Sequence, residues 1–146
     1  NTTFAAPLHW QRSAGSQEVV GWLTTNLPDG SVVLGSNTLS ITLAVTTSRL
    51  KSVAPRDYFM ARLAGQPGFD HDARLLLVRL ANPQDRPAGW PLPARPAVRD
   101  AVERVGVRAA CLDPEQRRAV SLLEGAGLQP AVSIGDYECL VRPGLD

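Results

Sequence analysis

Five prolines, Pro83, Pro87, Pro91, Pro93 and Pro96, fall within fourteen residues of one another. Each lacks an amide donor and holds φ near one value, so neither a long helix nor a central strand runs through this stretch. Residues 81–96 therefore read as a stiff, extended crossover or surface loop. Everything else in the chain must fold before it, after it, or around it. About fifty residues follow, too few for a comfortable independent core, so residues 1–146 are read as one compact domain with 81–96 as a candidate subdomain division.

The C-terminal part has clear local signals. Val98, Ala101, Val102 and Val105 form an apolar stripe at helical spacing, and Asp100 and Arg104 sit one turn apart on the surface. Gly106 then permits a change of direction, and residues 107–112 fit a strand. Asp113 and Pro114 suggest a capped helix start, with Ala119, Leu122 and Leu123 on its apolar face and Gly125 to Gly127 as the stop. Residues 131–134 and 137–141 read as strands joined at Gly135 and Asp136, a compact hairpin.

The N-terminal part reads mainly as sheet. Residues 18–25 fit a strand, Pro28 to Gly30 a turn, and residues 31–34 a second strand. In residues 38–47 the alternation Leu39, Ile41, Leu43, Val45 against Ser40, Thr42, Ala44, Thr46 has the two-residue period of a half-covered strand. Residues 55–64 read as a helix carrying Tyr58, Phe59 and Leu63 on one side. Residues 72–80 admit either form; the short Leu75 to Val78 run favours a strand. The resulting expectation is an α+β fold: one domain, a mostly antiparallel sheet, two to three helices and a Pro-rich surface loop.

Composition narrows the function classes. Apolar residues make up 44% and charged residues 20%, which suits a soluble globular domain. Fifteen basic and fourteen acidic side chains leave a net charge of +1, and neither half carries the sustained positive field that nucleic-acid binding requires. Lys51 is the sole lysine, a skew that a GC-rich gene explains without a ligand. No run is long and apolar enough for a transmembrane segment. The chain opens at Asn1 rather than Met, which suits a leader already removed, so the missing leader does not argue for the cytosol.

Cys111 and Cys139 are the only cysteines, 28 positions apart. A bridge between them would stabilise the fold by about 3–4 kcal/mol on the chain-entropy model, and an even pair suits an oxidising compartment, periplasmic or secreted. Two buried thiols are the alternative. With only His9 and His71 available, the pair is too small a set for a structural zinc site, and no metal or other cofactor is expected.

Asp70, His71 and Asp72 form the most chemically suggestive segment, since a carboxylate orients an imidazole and Cys111 would supply a nucleophile. The same residues are ordinary polar neighbours of a glycine-rich turn. No phosphate loop, dinucleotide fingerprint or serine elbow is present. Binding is therefore the leading expectation: a disulfide-pinned, exported, non-enzymatic domain with a protein partner. Its form would be inhibition or neutralisation of an enzyme, or membership of an envelope assembly. Trp90 and Leu92 in the rigid Pro-rich segment are the candidate contact residues, with Trp10 and Trp22 as further anchors. Packing of Trp90 against its own domain competes with that role. The alternative function is a small hydrolase using Cys111 or an unrecognised serine with His71.

Overall fold

The computed structural model describes residues 5–53, 70–113 and 115–143, with side chains from residue 15 onward. The helix expected over 55–64 lies outside the described residues, as do the side chains of His9 and Trp10 and all of Pro114. In chain order the elements are α1 (Ala5–Asn26), β1 (Val32–Gly35), α2 (Asn37–Thr46), β2 (Lys51–Ser52), α3 (His71–Ala81), a 3-10 turn (Pro83–Asp85), α4 (Arg95–Val105), β3 (Val107–Leu112), α5 (Arg117–Gly125), β4 (Gln129–Ile134) and β5 (Tyr137–Val141).

One five-stranded sheet, ordered β2-β1-β3-β5-β4, joins strands from both sides of the Pro-rich segment. Its β2/β1 and β1/β3 pairs are parallel, and its β3/β5 and β5/β4 pairs are antiparallel. Helices cover both faces. α1 and α2 close one face around Val19, Leu23, Leu39, Leu43, Val33 and Cys111. α3, α4 and α5 close the other around Leu77, Val102, Leu123, Leu34, Ala110 and Leu112. Burial on both sides makes β3 apolar at nearly every position. Arg108 is an extra residue in β3 opposite the Val32/Val33 step of β1, and this bulge sends Val107 and Ala109 to opposite faces.

The structure corrects the expected fold in two respects: the sheet is mixed rather than mostly antiparallel, and five helices are described rather than two to three. Three segments read as strands are helical, and each has a physical reason. In α2 the alternation Leu39, Ile41, Leu43, Val45 contains two pairs spaced by four residues. The helix buries Leu39 and Leu43, at 0% and 2% exposure, and leaves Ile41 and Val45 outside at 38% and 76%. Ser36 caps α2, its hydroxyl oxygen accepting the Leu39 amide at 3.2 Å, and Thr42 returns its hydroxyl to the Thr38 carbonyl at 2.8 Å. Local caps and one buried face thus override the strand preference of β-branched residues.

The same outcome governs residues 18–25, which lie in α1. Its buried stripe is Val19 and Leu23 with Val20 beside it, continued by Leu27 just past the helix end, so helical rather than alternating spacing meets the core. Residues 72–80 lie in α3, where Leu77, Leu80 and Ala81 are buried at helical spacing. Later expectations fare better. α4 buries Val98, Ala101, Val102 and Val105 and ends at Gly106 with φ of 76°. The β4/β5 hairpin turns at Gly135. Asp113 is not the cap of α5: its carboxylate accepts the Glu115 amide at 3.0 Å in a preceding turn, and the helix starts at Arg117. Of the loop expected over 81–96, Ala81 closes α3, Pro83–Asp85 form the 3-10 turn, residues 86–94 are irregular, and Arg95 and Pro96 open α4, where proline suits the first turn.

Candidate functional site

Cys111 and Cys139 lie opposite each other on β3 and β5 and form a disulfide, their Cα atoms 4.0 Å apart. The Arg142 amide donates to the Arg108 carbonyl at 2.9 Å, which sets the hydrogen-bonded phase of the ladder at that pair. Counting along the strands puts Cys111 and Cys139 in the non-hydrogen-bonded phase, where facing Cα atoms approach most closely. Both cysteines are fully buried beneath α1 and α2. While bridged, Cys111 presents no thiolate.

The acidic and imidazole candidates sit elsewhere. Asp70 precedes α3 in a left-handed conformation, φ 54°, and His71 begins the helix with its Nδ1 3.3 Å from the Asp72 carboxylate. With Ala73 and Arg104 these residues line a shallow surface depression. Behind them Arg74 donates to the Val53 carbonyl at 2.7 Å. Burial pulls the Arg74 guanidinium below its ordinary pKa, and the Asp70 carboxylate opposes that shift. α3 packs on the face of the sheet opposite the disulfide, so His71 and Cys111 are not brought together.

Trp90 is half-buried. The Arg86 guanidinium lies over its ring, 5.4 Å from the centroid, while donating to the Arg79 and Leu80 carbonyls at 2.8 and 2.9 Å. Arg86 thereby satisfies the open C-terminal end of α3 and pins the Pro-rich segment to it. Leu92 packs against the core beneath α3, α4 and α5. These two residues are held on their own domain, yet both keep partial exposure. Leu92 and Arg86 also form one wall of an open groove whose other wall is the start of α5, with Glu115, Gln116, Arg117 and Arg118.

A further cavity lies at the carboxyl ends of the parallel strands. β1 leads into α2 on one face of the sheet, and the adjacent β3 leads toward α5 on the other. Divergence of two neighbouring parallel connections opens a crevice between them, the place where α/β sheets hold ligands. Here it encloses about 230 Å³ between Ser36, Asn37 and Thr38 on the β1 side and Asp113 and Gln116 on the β3 side. Asp136 and Tyr137 from the hairpin, Asn82 at the end of α3 and Gln84 in the 3-10 turn add to the wall.

A buried polar network fixes this crevice. Asn82 is 1% exposed. Its Oδ1 accepts the Asn37 amide at 2.8 Å, and its Nδ2 donates to the Val78 and Gly35 carbonyls at 2.9 and 3.3 Å. One side chain thus joins β1, α2 and α3. The Tyr137 hydroxyl shares hydrogen bonds with Ser16 at 2.7 Å and Ser36 at 3.2 Å, tying α1 to the same corner. Asn37 in turn donates to the Asp85 carboxylate at 3.1 Å. Apart from the Asn37 Oδ1, which is buried without a partner among the described residues, these groups restrain one another, because their alternatives are unpaired and costly.

The Ser36 hydroxyl caps a helix, and its backbone has the extended φ of −61° and ψ of 163°, not the strained turn of a nucleophilic serine. His71 lies at the far end of α3 from Asn82, about 15 Å along the helix axis. Asp113 and Asp136 face the opening, and no described cation is within ion-pair distance of either. Among the described residues no three His, Cys, Asp or Glu side chains converge as a metal site. No described helix is long and apolar enough to cross a membrane.

Sequence reasoning missed Ser36, Asn37, Asn82, Gln84, Asp113 and Tyr137 as a group. The polar Gly35 to Asn37 step after a strand was the available signal, but it points to a crevice only once β1 and β3 are parallel neighbours. No protein-family model matches the chain, and comparison with curated proteins and with solved structures finds no significant match.

Proposed function

We propose that this domain is a non-enzymatic binding module of an exported protein. Its partner is another protein, engaged where the strand-end crevice adjoins the Pro-rich groove. The observation that carries this reading is the crevice at the β1/β3 divergence, walled by side chains locked through Asn82 and Tyr137. A preformed polar surface loses little conformational entropy on binding. The buried disulfide supports a periplasmic or secreted setting. Inhibition of a partner enzyme and service as an envelope assembly component both use such a rigid face, and neither needs catalytic groups.

Site-specific photo-crosslinking in the native organism tests the reading. A benzophenone side chain is placed at Gln84, on the crevice rim, at Leu92, in the groove, and at Glu103, on the remote surface of α4. One and the same protein should be captured from Gln84 and Leu92, with none from Glu103. Absence of any adduct, or equal capture from Glu103, overturns the proposal. Trp90→Ala measured for both melting and capture then separates contact from packing, since a residue used only to hold the segment lowers both.

A further inference from the structure

The crevice and the groove share Gln116 as a lining residue, so the two adjoin on the surface. Their charges are opposite. Among the described residues the crevice is lined by two carboxylates, Asp113 and Asp136, and by no cation. The groove presents three guanidinium groups, Arg86, Arg117 and Arg118, against the single carboxylate of Glu115. This segregation is local, since the whole chain has a net charge of only +1. Arg86 is committed to the α3 carbonyls and Trp90, which leaves the exposed Arg117 and Arg118 as the groove's working cations.

Resting on the binding reading above, we infer that the occupant is an extended segment of a partner protein carrying a basic and an acidic residue a few positions apart. The basic side chain enters the crevice beside Asp113 and Asp136, and the acidic one meets Arg117 and Arg118. Guanidinium and carboxylate groups pair in this way with geometric selectivity. Asp113 and Arg117 are four positions apart in the chain, which limits the distance between their Cα atoms to about 14 Å. An extended partner segment with its two charges three or four residues apart matches that backbone span. Wrong partners are rejected by like-charge contact at one end or the other.

The test uses the intact disulfide-bonded protein and terminally blocked synthetic peptides, titrated by amide NMR at low ionic strength. One peptide carries an arginine and a glutamate three residues apart, in both sequence orders; others are all-basic, all-acidic or neutral at those positions. One dipolar order should bind at least tenfold more tightly than each of the other classes, with shifts at Thr38, Gln116, Arg118 and Asp136. Asp113→Asn with Asp136→Asn should abolish the preference for the dipolar peptide over the all-acidic one, and Arg117→Gln with Arg118→Gln the preference over the all-basic one. All four changes keep hydrogen-bonding capacity, and unchanged melting verifies the fold. Equal affinity for the neutral peptide, with the same shifted residues, overturns the charge inference while leaving the binding face intact. Shifts confined to another surface overturn both. No titration by any peptide, where crosslinking at Gln84 succeeds, overturns the charge inference alone.

Discussion

Truncating Leu43 and truncating Val45 are opposite experiments in this fold, although the two residues are alternate apolar positions of one alternating run. Leu43 is 2% exposed within the cluster containing Val19, Leu23 and Leu39, whereas Val45 is 76% exposed on the outer side of α2. Leu43→Ala removes buried methyl groups and leaves a cavity beneath α1, at a cost of about 2–5 kcal/mol. For a chain of this length that lowers Tm by roughly 6–15 °C. Val45→Ala removes almost no buried area and improves helix propensity by up to about 0.7 kcal/mol, so its midpoint stays level or rises slightly. Thermal and urea unfolding followed by far-UV circular dichroism measure both, with the disulfide intact. Comparable losses from the two variants would mean that the alternating residues share one buried face, as in a strand, and would refute the helical assignment of residues 37–46.

Three further outcomes follow from the contacts described. The native protein under thiol-protected, non-reducing conditions should be two hydrogens lighter than its reduced form, and replacing Cys111 and Cys139 together by alanine should cost about 3–4 kcal/mol for a closed loop of 28 residues; two free thiols in the native mass would refute the bridge. Asn82→Leu strands the Asn37 amide and the Gly35 carbonyl in a buried corner and should destabilise by about 1–3 kcal/mol in chemical denaturation, whereas an exposed control such as Gln84→Leu should change little; equal effects would deny Asn82 its joining role. Arg86→Met keeps most of the apolar stem but removes the donors to Arg79 and Leu80 and the cation over Trp90, so the Trp90 contribution to fluorescence, isolated by difference against Trp90→Phe, should shift toward that of a solvated indole; an unchanged spectrum would show that Leu92 and the prolines hold the segment without it.

After the Pro-rich segment, the sequence by itself determined most of the local structure. α4 carries its buried stripe at unbroken helical spacing and stops at a glycine with positive φ; β5 follows a tight Gly135–Asp136 turn; the two cysteines end on neighbouring strands. Each of these features is settled by residues within a few positions of one another, apart from the disulfide, whose partners are identified because the chain has no other cysteine. Before that segment, local pattern sufficed for the Pro28–Gly30 turn and for β1 but not for the helices. Two residues turn a helix through about 200°, so an alternating run of four apolar residues supplies two helical faces as readily as one sheet face. Only tertiary structure chose between them, by placing Leu39 and Leu43 under α1 and leaving Ile41 and Val45 without a buried counterpart. The crevice was further still from sequence. Its walls come from residues 36–38, 82–84, 113–116 and 136–137, and they meet only because β1 lies parallel to β3 with their following connections on opposite faces of the sheet. Which strands become neighbours depends on how both helical layers bury their apolar stripes, a property of the whole packed chain rather than of any segment in it.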